Sequence, residues 1–140
     1  MPQWMKFAFL SMFFAGFTSV IAKHGMREVS GETAIFIRTV FVFVFISIIS
    51  TFTLQSADFG RLNATSVAWF ALSGLTTTLS WYFYYRALKE GDVATVALID
   101  KGSILIAMLL AWLLLREQIT PRMIAGAGLI ISGLIVISRK

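Results

Sequence analysis

Three ionisable residues lie inside stretches of sequence that are otherwise almost entirely apolar. Asp100 and Lys101 are adjacent within residues 93–115, and Arg38 lies within residues 33–54. An isolated charge at the centre of a membrane-spanning helix costs about 2.5–3.5 kcal/mol, so such a residue usually faces protein or water. Asp100 and Lys101 therefore predict either a binding or ion-coupling site for a small molecule or a structural ion pair that fixes helix packing.

Arg38 has two interpretations of equal weight. It lies about 8 Å into its apolar stretch by helical rise, which is deep enough to contribute to a site. It is also close enough to the end of that stretch for its long side chain to reach the membrane interface. Glu32 precedes it by six residues, a spacing that does not make neighbours on one helix face, so no ion pair between them is predicted.

Hydroxyl and aromatic side chains are concentrated in residues 73–85. Thr78, Tyr82 and Tyr85 share one face at helical spacing, which predicts a cavity lined by hydroxyl groups and ring faces. The alternative is an aromatic belt at the membrane interface, where Trp and Tyr are enriched. The belt is the favoured interpretation for Trp81, Tyr84 and Tyr85, which leaves Thr78 and Tyr82 as candidate binding residues.

The last apolar stretch is rich in small residues that allow helix backbones to approach closely. Gly128 and Ser132 have the spacing of a small-xxx-small pair, and Gly126 and Gly133 lie seven residues apart. These residues predict helix packing, either inside one protomer or across a dimer contact.

Catalytic and metal-binding patterns find little support in the sequence. Cysteine is absent, there is a single histidine, and no Gly-rich loop follows a strand-like run. An intramembrane enzyme acting on lipid would have only Asp100 and Lys101 as a catalytic pair. We therefore predict no enzyme activity, no metal and no cofactor.

The composition predicts an integral membrane protein. Of 140 residues, 58% are hydrophobic and 14% are charged, whereas a soluble domain carries about 25% charged residues. The net charge of +5 is spread over the predicted loops with one or two basic residues each. These residues therefore indicate membrane topology and interface anchoring instead of nucleic-acid binding.

The apolar stretches predict an all-α fold with five transmembrane helices in a single domain over residues 1–140. A spanning helix needs about 20 apolar residues, and none of the stretches alternates as a β-barrel strand would. Trp4 and the second apolar stretch favour a retained first helix over a cleaved signal sequence. Helix caps are predicted at Asp92, at Thr120 before Pro121, and at Asn63 or Thr65. The predicted spans are 4–22, 33–54, 65–88, 93–115 and 120–138.

Five spans place the two chain ends on opposite sides of the membrane. The basic residues favour a cytoplasmic C-terminus only weakly, by five or six against four. So small a bias permits insertion in both orientations, and one fixed orientation is the alternative. The four on the N-terminal side are Lys6, Arg61, Arg116 and Arg122; opposite lie Lys23, Arg27, Lys89, Arg139 and Lys140, with Arg86 as a possible sixth.

The chain resembles a known family over essentially its whole length, including Arg38 and the region of Lys23, and most specifically over residues 81–133. Residues 85–94, 99–101 and 116–120, together with 126–130 and Gly133, are similar to the C-terminal part of an EamA domain of the drug/metabolite transporter superfamily. The resemblance implies secondary transport of small metabolites across the cytoplasmic membrane. It also implies an inverted pair of five-helix halves with a central cavity lined by the first, third and fourth helices of each half.

A single half needs a second copy to complete that architecture, so we predict a transporter subunit that works by alternating access as an antiparallel homodimer. The alternative is a non-transporting assembly or regulatory partner of a larger carrier. The first span carries no acid, which argues against cation efflux of the small multidrug-resistance type. Arg38, Asp100 and Lys101 sum to +1, which favours a substrate with an anionic group.

Overall fold

The computed structural model describes residues 2–138, with Ser56 and Ser138 described by their backbone alone. Arg139 and Lys140, which the topology count includes, lie outside the described residues. The described chain is helical and contains no strand. Its helices are α1 (Gln3–Gly25), α2 (Gly31–Thr53), α3 (Ser56–Phe59), α4 (Ala64–Glu90), α5 (Val93–Asp100), α6 (Ser103–Leu115) and α7 (Pro121–Ser138).

Three segments of the described chain are long and apolar enough to cross a membrane: Gln3–Gly25, Gly31–Thr53 and Val93–Leu115. Helix α7 is shorter, with an apolar part of Pro121–Ile137. Helix α4 has 27 residues but is more polar than the three. All five predicted spans are therefore helical, whereas five membrane crossings remain a prediction.

The polarity of α4 comes largely from hydroxyl groups that bond to their own helix. Thr76, Thr77 and Thr78 each donate to the carbonyl four residues earlier, at 3.1, 2.8 and 2.9 Å. Since these donors already have acceptors, they do not need water. The lower hydropathy of α4 is therefore compatible with a place in lipid.

The fourth predicted span, residues 93–115, keeps its predicted bounds but is not one continuous α-helix. Helix α5 ends at Asp100, and α6 begins at Ser103. Between them the N–H groups of Lys101 and Gly102 donate to carbonyls three residues earlier, at 3.1 and 2.9 Å. This tight turn of 3₁₀ type changes the helix at the two charged residues, and such turns inside helices often mark hinges.

Local hydrogen bonds explain where several helices begin. Asn63 Oδ1 accepts from the N–H of Ser66 at 2.8 Å, and Thr120 Oγ1 accepts from the N–H of Met123 at 3.3 Å, as predicted. Asp92 occupies the predicted N-cap position of α5, but its side chain makes no capping hydrogen bond. Ser30, which was not predicted, caps α2 by accepting from the N–H of Thr33 at 3.1 Å.

The chain divides into two compact units, one with α1–α4 and one with α5–α7. In the first unit, α2 packs along α4, and α1 contacts α4. Its most buried residues lie where α1 ends, α2 begins and α4 ends: Met26, Tyr85 and Leu88 are at most 3% exposed. Gly31 lies so close to α4 that a Cβ atom there would be 3.0 Å from the Tyr85 carbonyl oxygen.

Most other large apolar side chains of the first unit are exposed. Phe36, Phe43 and Phe52 are 71%, 72% and 86% exposed, and the apolar residues of α1 form a similar surface. Soluble monomers rarely expose apolar patches larger than a few hundred Å². Lipid is the surrounding that this surface requires.

Candidate functional site

A cavity of about 590 Å³ lies in the first unit. Its walls come from α1, the following loop, α2 and one residue of α4, and are almost wholly apolar. Among the described residues that line it, Arg38 is the one that carries a charge. The lining residues are Thr18, Ile21, Ala22, Gly25, Val29, Ala34, Ile37, Arg38, Phe41 and Tyr85.

The Arg38 guanidinium is held against two aromatic rings of α4. Its central carbon lies 4.1 Å from the centre of the Trp81 ring and 5.7 Å from that of Tyr85. A ring face attracts a cation, by about 0.5–2 kcal/mol depending on how much water is excluded. Trp81 and Tyr85 are four residues apart, so one face of α4 presents both rings to α2.

No carboxylate of the first unit, within its described residues, forms an ion pair with Arg38. Glu32, on the same helix, instead pairs with Arg86 of α4, with Nε and Oε1 3.8 Å apart. Arg86 also lies 3.4 Å from the hydroxyl of Tyr82. The Glu32–Arg86 pair joins α2 to α4, and it leaves the charge of Arg38 uncompensated among the described residues of the first unit.

Tyr85 and Tyr84 lie inside the first unit, on the side of α4 that meets α1 and α2. Tyr85 is 3% exposed, and its hydroxyl has no hydrogen-bond partner among the described residues. The Tyr84 hydroxyl lies 2.7 Å from Ser19 Oγ of α1. The predicted interfacial belt is therefore wrong for Tyr85, because a buried ring that contacts a cation does not face the lipid interface.

Two lysines join the ends of α1 and α4 in a reciprocal contact, which we call the lysine clamp (Lys23 and Lys89). The Lys23 ammonium donates to the carbonyls of Leu88 and Lys89, the latter at 3.1 Å. The Lys89 ammonium donates to the carbonyls of Met26 and Val29, the latter at 2.9 Å. The last carbonyls of a helix lack partners within it, and the negative end of the helix dipole attracts cations. Lys23 thus stabilises the end of α4, and Lys89 stabilises the segment that joins α1 to α2.

The second unit brings Asp100 and Lys101 together. Lys101 Nζ lies 3.7 Å from Asp100 Oδ2, and both side chains are partly exposed. The next residue is Gly102. A Cβ atom on it would lie 3.0 Å from the Ile99 carbonyl oxygen and 3.2 Å from Leu134 of α7. The ion pair therefore lies at a turn that packs closely against α7, and its two charges offset each other.

The small residues of α7 have different surroundings. Gly126 lines an apolar groove of about 430 Å³ formed by α6, α7 and the loop between them. Its lining includes Trp112 of α6 and Met123 of α7. Ser132 Oγ donates to the Gly128 carbonyl at 2.8 Å. A Cβ atom at Gly126, Gly128 or Gly133 would meet nothing within 4 Å.

Comparisons with known proteins decide the family. Residues 2–139 match the model of the EamA-like transporter family. This chain belongs to the EamA-like transporter family. It is also 36% identical over 136 residues to an "uncharacterized transporter in cobO 3'region" from Sinorhizobium sp., a match that covers 97% of this chain and 96% of that protein. No solved structure shows a significant match.

Family membership confirms the resemblance stated above and supports a transporter role for this EamA-like protein. Its exposed apolar helices imply contact with the lipid bilayer. Of the predicted binding residues, Arg38 lines the cavity of the first unit, whereas Thr78 and Tyr82 do not. Thr78 bonds to its own helix, and Tyr82 contacts Arg86.

Sequence reasoning missed two contacts in this EamA-like protein: the contact of Arg38 with Trp81 and Tyr85, and the lysine clamp. Tyr85 and Trp81 share a face with four-residue spacing, but the cation that they contact lies on another helix. The lysine clamp joins residues more than 60 positions apart. No local pattern marks either partner of such a contact, although lysine near a helix end was a weak indication.

We expect the substitution Lys89→Met to destabilise the first unit. The side chain keeps its length, but the carbonyls of Met26 and Val29 lose their charged donor, at a cost of about 1–3 kcal/mol in the free energy of unfolding. Thermal unfolding in lipid nanodiscs measures the change. Lys6→Met, near the opposite end of α1, is the matched control and is expected to leave the midpoint unchanged. Equal midpoints for the two variants would contradict a stabilising clamp.

The Asp100–Lys101 pair predicts strongly non-additive effects. Asp100→Asn or Lys101→Gln alone leaves a lone charge, which destabilises the protein by up to about 3 kcal/mol if it lies at the bilayer centre. The double variant removes both charges, so we expect its free energy of unfolding to be closer to that of the wild type than the value of either single variant. Chemical unfolding of all four proteins in the same lipid measures this cycle. Additive losses would show that the two charges do not depend on each other.

Proposed function

We propose that this protein is one subunit of a secondary transporter that moves a small metabolite across the cytoplasmic membrane by alternating access. The observation that carries the proposal is the apolar cavity with a single guanidinium held against two rings. An unpaired cation in such surroundings is costly unless a ligand or water meets it. Membership of a transporter family supports the same conclusion.

The lysine clamp is our candidate for one gate of the transport cycle. It joins α1 to α4 at one end of the first unit, where the buried residues are concentrated. The helices elsewhere expose most of their apolar surface. If α1 moves away from α4, the hydrogen bonds of Lys23 and Lys89 must break, and water can replace them at the membrane surface. The cavity would then open toward the side that the clamp closes.

Asp100 and Lys101 are proposed as a substrate-binding or ion-coupling element of the second unit, and Thr78 and Tyr82 as polar binding positions of the first. The supporting observation is the change from α-helix to a tight turn at Lys101 and Gly102. Many transporters place substrate and coupling ions at interrupted helices near the bilayer midplane.

An antiparallel pair of identical chains is the proposed assembly. Five spans give the two chain ends opposite sides, and the weak bias of basic residues permits both orientations. The match to the Sinorhizobium relative covers 97% of this chain and 96% of that protein, so the two proteins have similar lengths. The exposed glycines of α7 would allow a second helix to approach closely.

Exchange in proteoliposomes tests the transport proposal. We expect vesicles containing the wild-type protein to take up labelled organic acids saturably, and faster when the same unlabelled acid is loaded inside. Protein-free vesicles measure leakage. A folded, dimeric protein that exchanges no organic acid, amino acid or sugar would contradict the proposal and favour the non-transporting assembly partner.

Single-cysteine labelling tests the antiparallel pair, and the absence of native cysteine makes it straightforward. Gln118→Cys lies in the loop after α6, and Glu28→Cys lies in the loop after α1; acidic residues contribute little to orientation. In intact cells an impermeant thiol reagent is expected to label about half of each variant if both orientations occur equally. Full labelling of one variant and none of the other would exclude the homodimer and require a second type of chain.

A further inference from the structure

Two groups with unused hydrogen-bonding capacity meet at the cavity of the first unit. One is the Arg38 guanidinium, and the other is the hydroxyl of Tyr85, whose ring lies 5.7 Å from that guanidinium. The hydroxyl is buried and unbonded among the described residues. A buried polar group without a partner costs free energy, so each such group needs an explanation.

The carboxylates of the first unit do not supply the missing partner. Glu32 pairs with Arg86, and Asp58 pairs with Arg61 at 3.8 Å. Within the described part of this unit, no ion pair or hydrogen bond joins Arg38 to an acceptor. Its positive charge is therefore free to attract an anion from outside the unit.

The ring contacts of Arg38 leave its donors without an oxygen acceptor. The central carbon of the guanidinium lies 4.1 Å from the centre of the Trp81 ring, and no described residue accepts a hydrogen bond from the group. A guanidinium carries five N–H donors in one plane. Planar forks of this kind match the two oxygens of a carboxylate or the oxygens of a phosphate.

We propose that Arg38 and Tyr85 form the anion-binding end of a site for an amphiphilic anion, a single carboxylate or phosphate attached to an apolar body. Arg38 donates two N–H bonds to the anionic group, and the Tyr85 hydroxyl donates a third. This inference rests on the proposed transport function and names its substrate class. It does not depend on the charges of Asp100 and Lys101, which offset each other.

The rest of the cavity matches an apolar body. Ile21, Ile37 and Phe41 contribute aliphatic and aromatic walls, and Ala22 and Ala34 leave room between them. The volume of about 590 Å³ lies within the range of about 300–1,000 Å³ that is usual for small-molecule sites. A small inorganic anion would leave most of this wall unfilled, so the apolar body contributes to affinity.

The same chemistry could arrive from water as an organic acid or from the bilayer as an anionic lipid. Isothermal titration calorimetry on the full chain in neutral phosphatidylcholine nanodiscs tests the first source, with phenylbutyrate as the probe and its neutral amide as the matched ligand. Native mass spectrometry on nanodiscs that contain phosphatidylglycerol tests the second source.

Four variants separate the contributions. We expect Arg38→Gln to weaken phenylbutyrate binding at least about tenfold and Tyr85→Phe to weaken it about two- to tenfold. Arg38→Lys keeps the charge but loses the planar set of guanidinium donors, so we expect an intermediate loss of phenylbutyrate affinity. This variant replaces Arg38→Gln if Arg38→Gln fails to fold. Arg61→Gln, an exposed arginine of a loop, is the control and should bind as the wild type does.

The site with a water-borne ligand is supported if phenylbutyrate binds about tenfold more tightly than its amide and if this binding requires Arg38. Retention of phosphatidylglycerol by the wild type and by Arg61→Gln, but not by Arg38→Gln, supports the site with a lipid ligand. Equal binding of acid and amide, unchanged binding in Arg38→Gln, or no binding of either anion overturns the proposal.

Equilibrium binding also separates this inference from the transport proposal. If the anion binds through Arg38 but no exchange occurs in proteoliposomes, the site stands and transport is contradicted. If Arg38→Gln exchanges solutes at the wild-type rate, transport stands and the site is contradicted.

Discussion

The lysine clamp is the interaction on which the arrangement of the first unit depends. Lys23 donates to the last carbonyls of α4, and Lys89 donates to carbonyls of the segment after α1. Each ammonium group loses less by leaving water because several acceptors surround it. The clamp fixes the ends of α1 and α4 beside the start of α2, where Met26 and Leu88 are fully enclosed. Apolar burial alone would specify this junction poorly, since lipid accepts the same side chains.

The cavity follows from that junction. With α1 held to α4 and α2 packed along α4, the face of α4 that carries Trp81 and Tyr85 meets Arg38 of α2. The cation is oriented by rings instead of a carboxylate. Its charge therefore remains available for a ligand, whereas a salt bridge such as Glu32–Arg86 consumes the charges of both partners. The difference between these two arginines separates a candidate binding residue from a structural one.

In the second unit, the two charges within the apolar segment compensate each other. Asp100 and Lys101 are neighbours in sequence and form their own ion pair, so the pair carries no net charge. The tight turn at Gly102 depends on a residue without a side chain, because a Cβ atom would crowd the Ile99 carbonyl and Leu134. Charge neutralisation and a local change of helix type thus occur at one place, which is the property expected of a moving part.

Much of the helical pattern could be predicted from the sequence because lipid leaves the backbone few alternatives to helix. The predicted spans 33–54 and 65–88 became α2 and α4 with ends shifted by at most two residues. The caps at Asn63 and Thr120 followed from local chemistry. The turn at Lys101 could not be predicted, because a single glycine within an apolar helix is common and its effect depends on Leu134 of another helix.

The contacts that build the site were beyond sequence reasoning for a related reason. Periodicity shows which residues share a helix face, but it does not show which helix that face meets. Tyr85 was therefore assigned to the membrane interface, although its spacing from Trp81 was visible. Lys23 and Lys89 each looked like an ordinary basic residue at a helix end.

The central claim is that the Arg38 charge is reserved for an anionic ligand. Solid-state NMR on the full chain in lipid, with ¹⁵N-labelled arginine and phenylbutyrate labelled with ¹³C at its carboxylate, tests it most directly. The account predicts a dipolar coupling between the ligand carboxylate and an arginine side chain that disappears in Arg38→Gln. A coupling of the Arg38 guanidinium to a carboxylate of the protein itself, unchanged when the ligand is added, would contradict it.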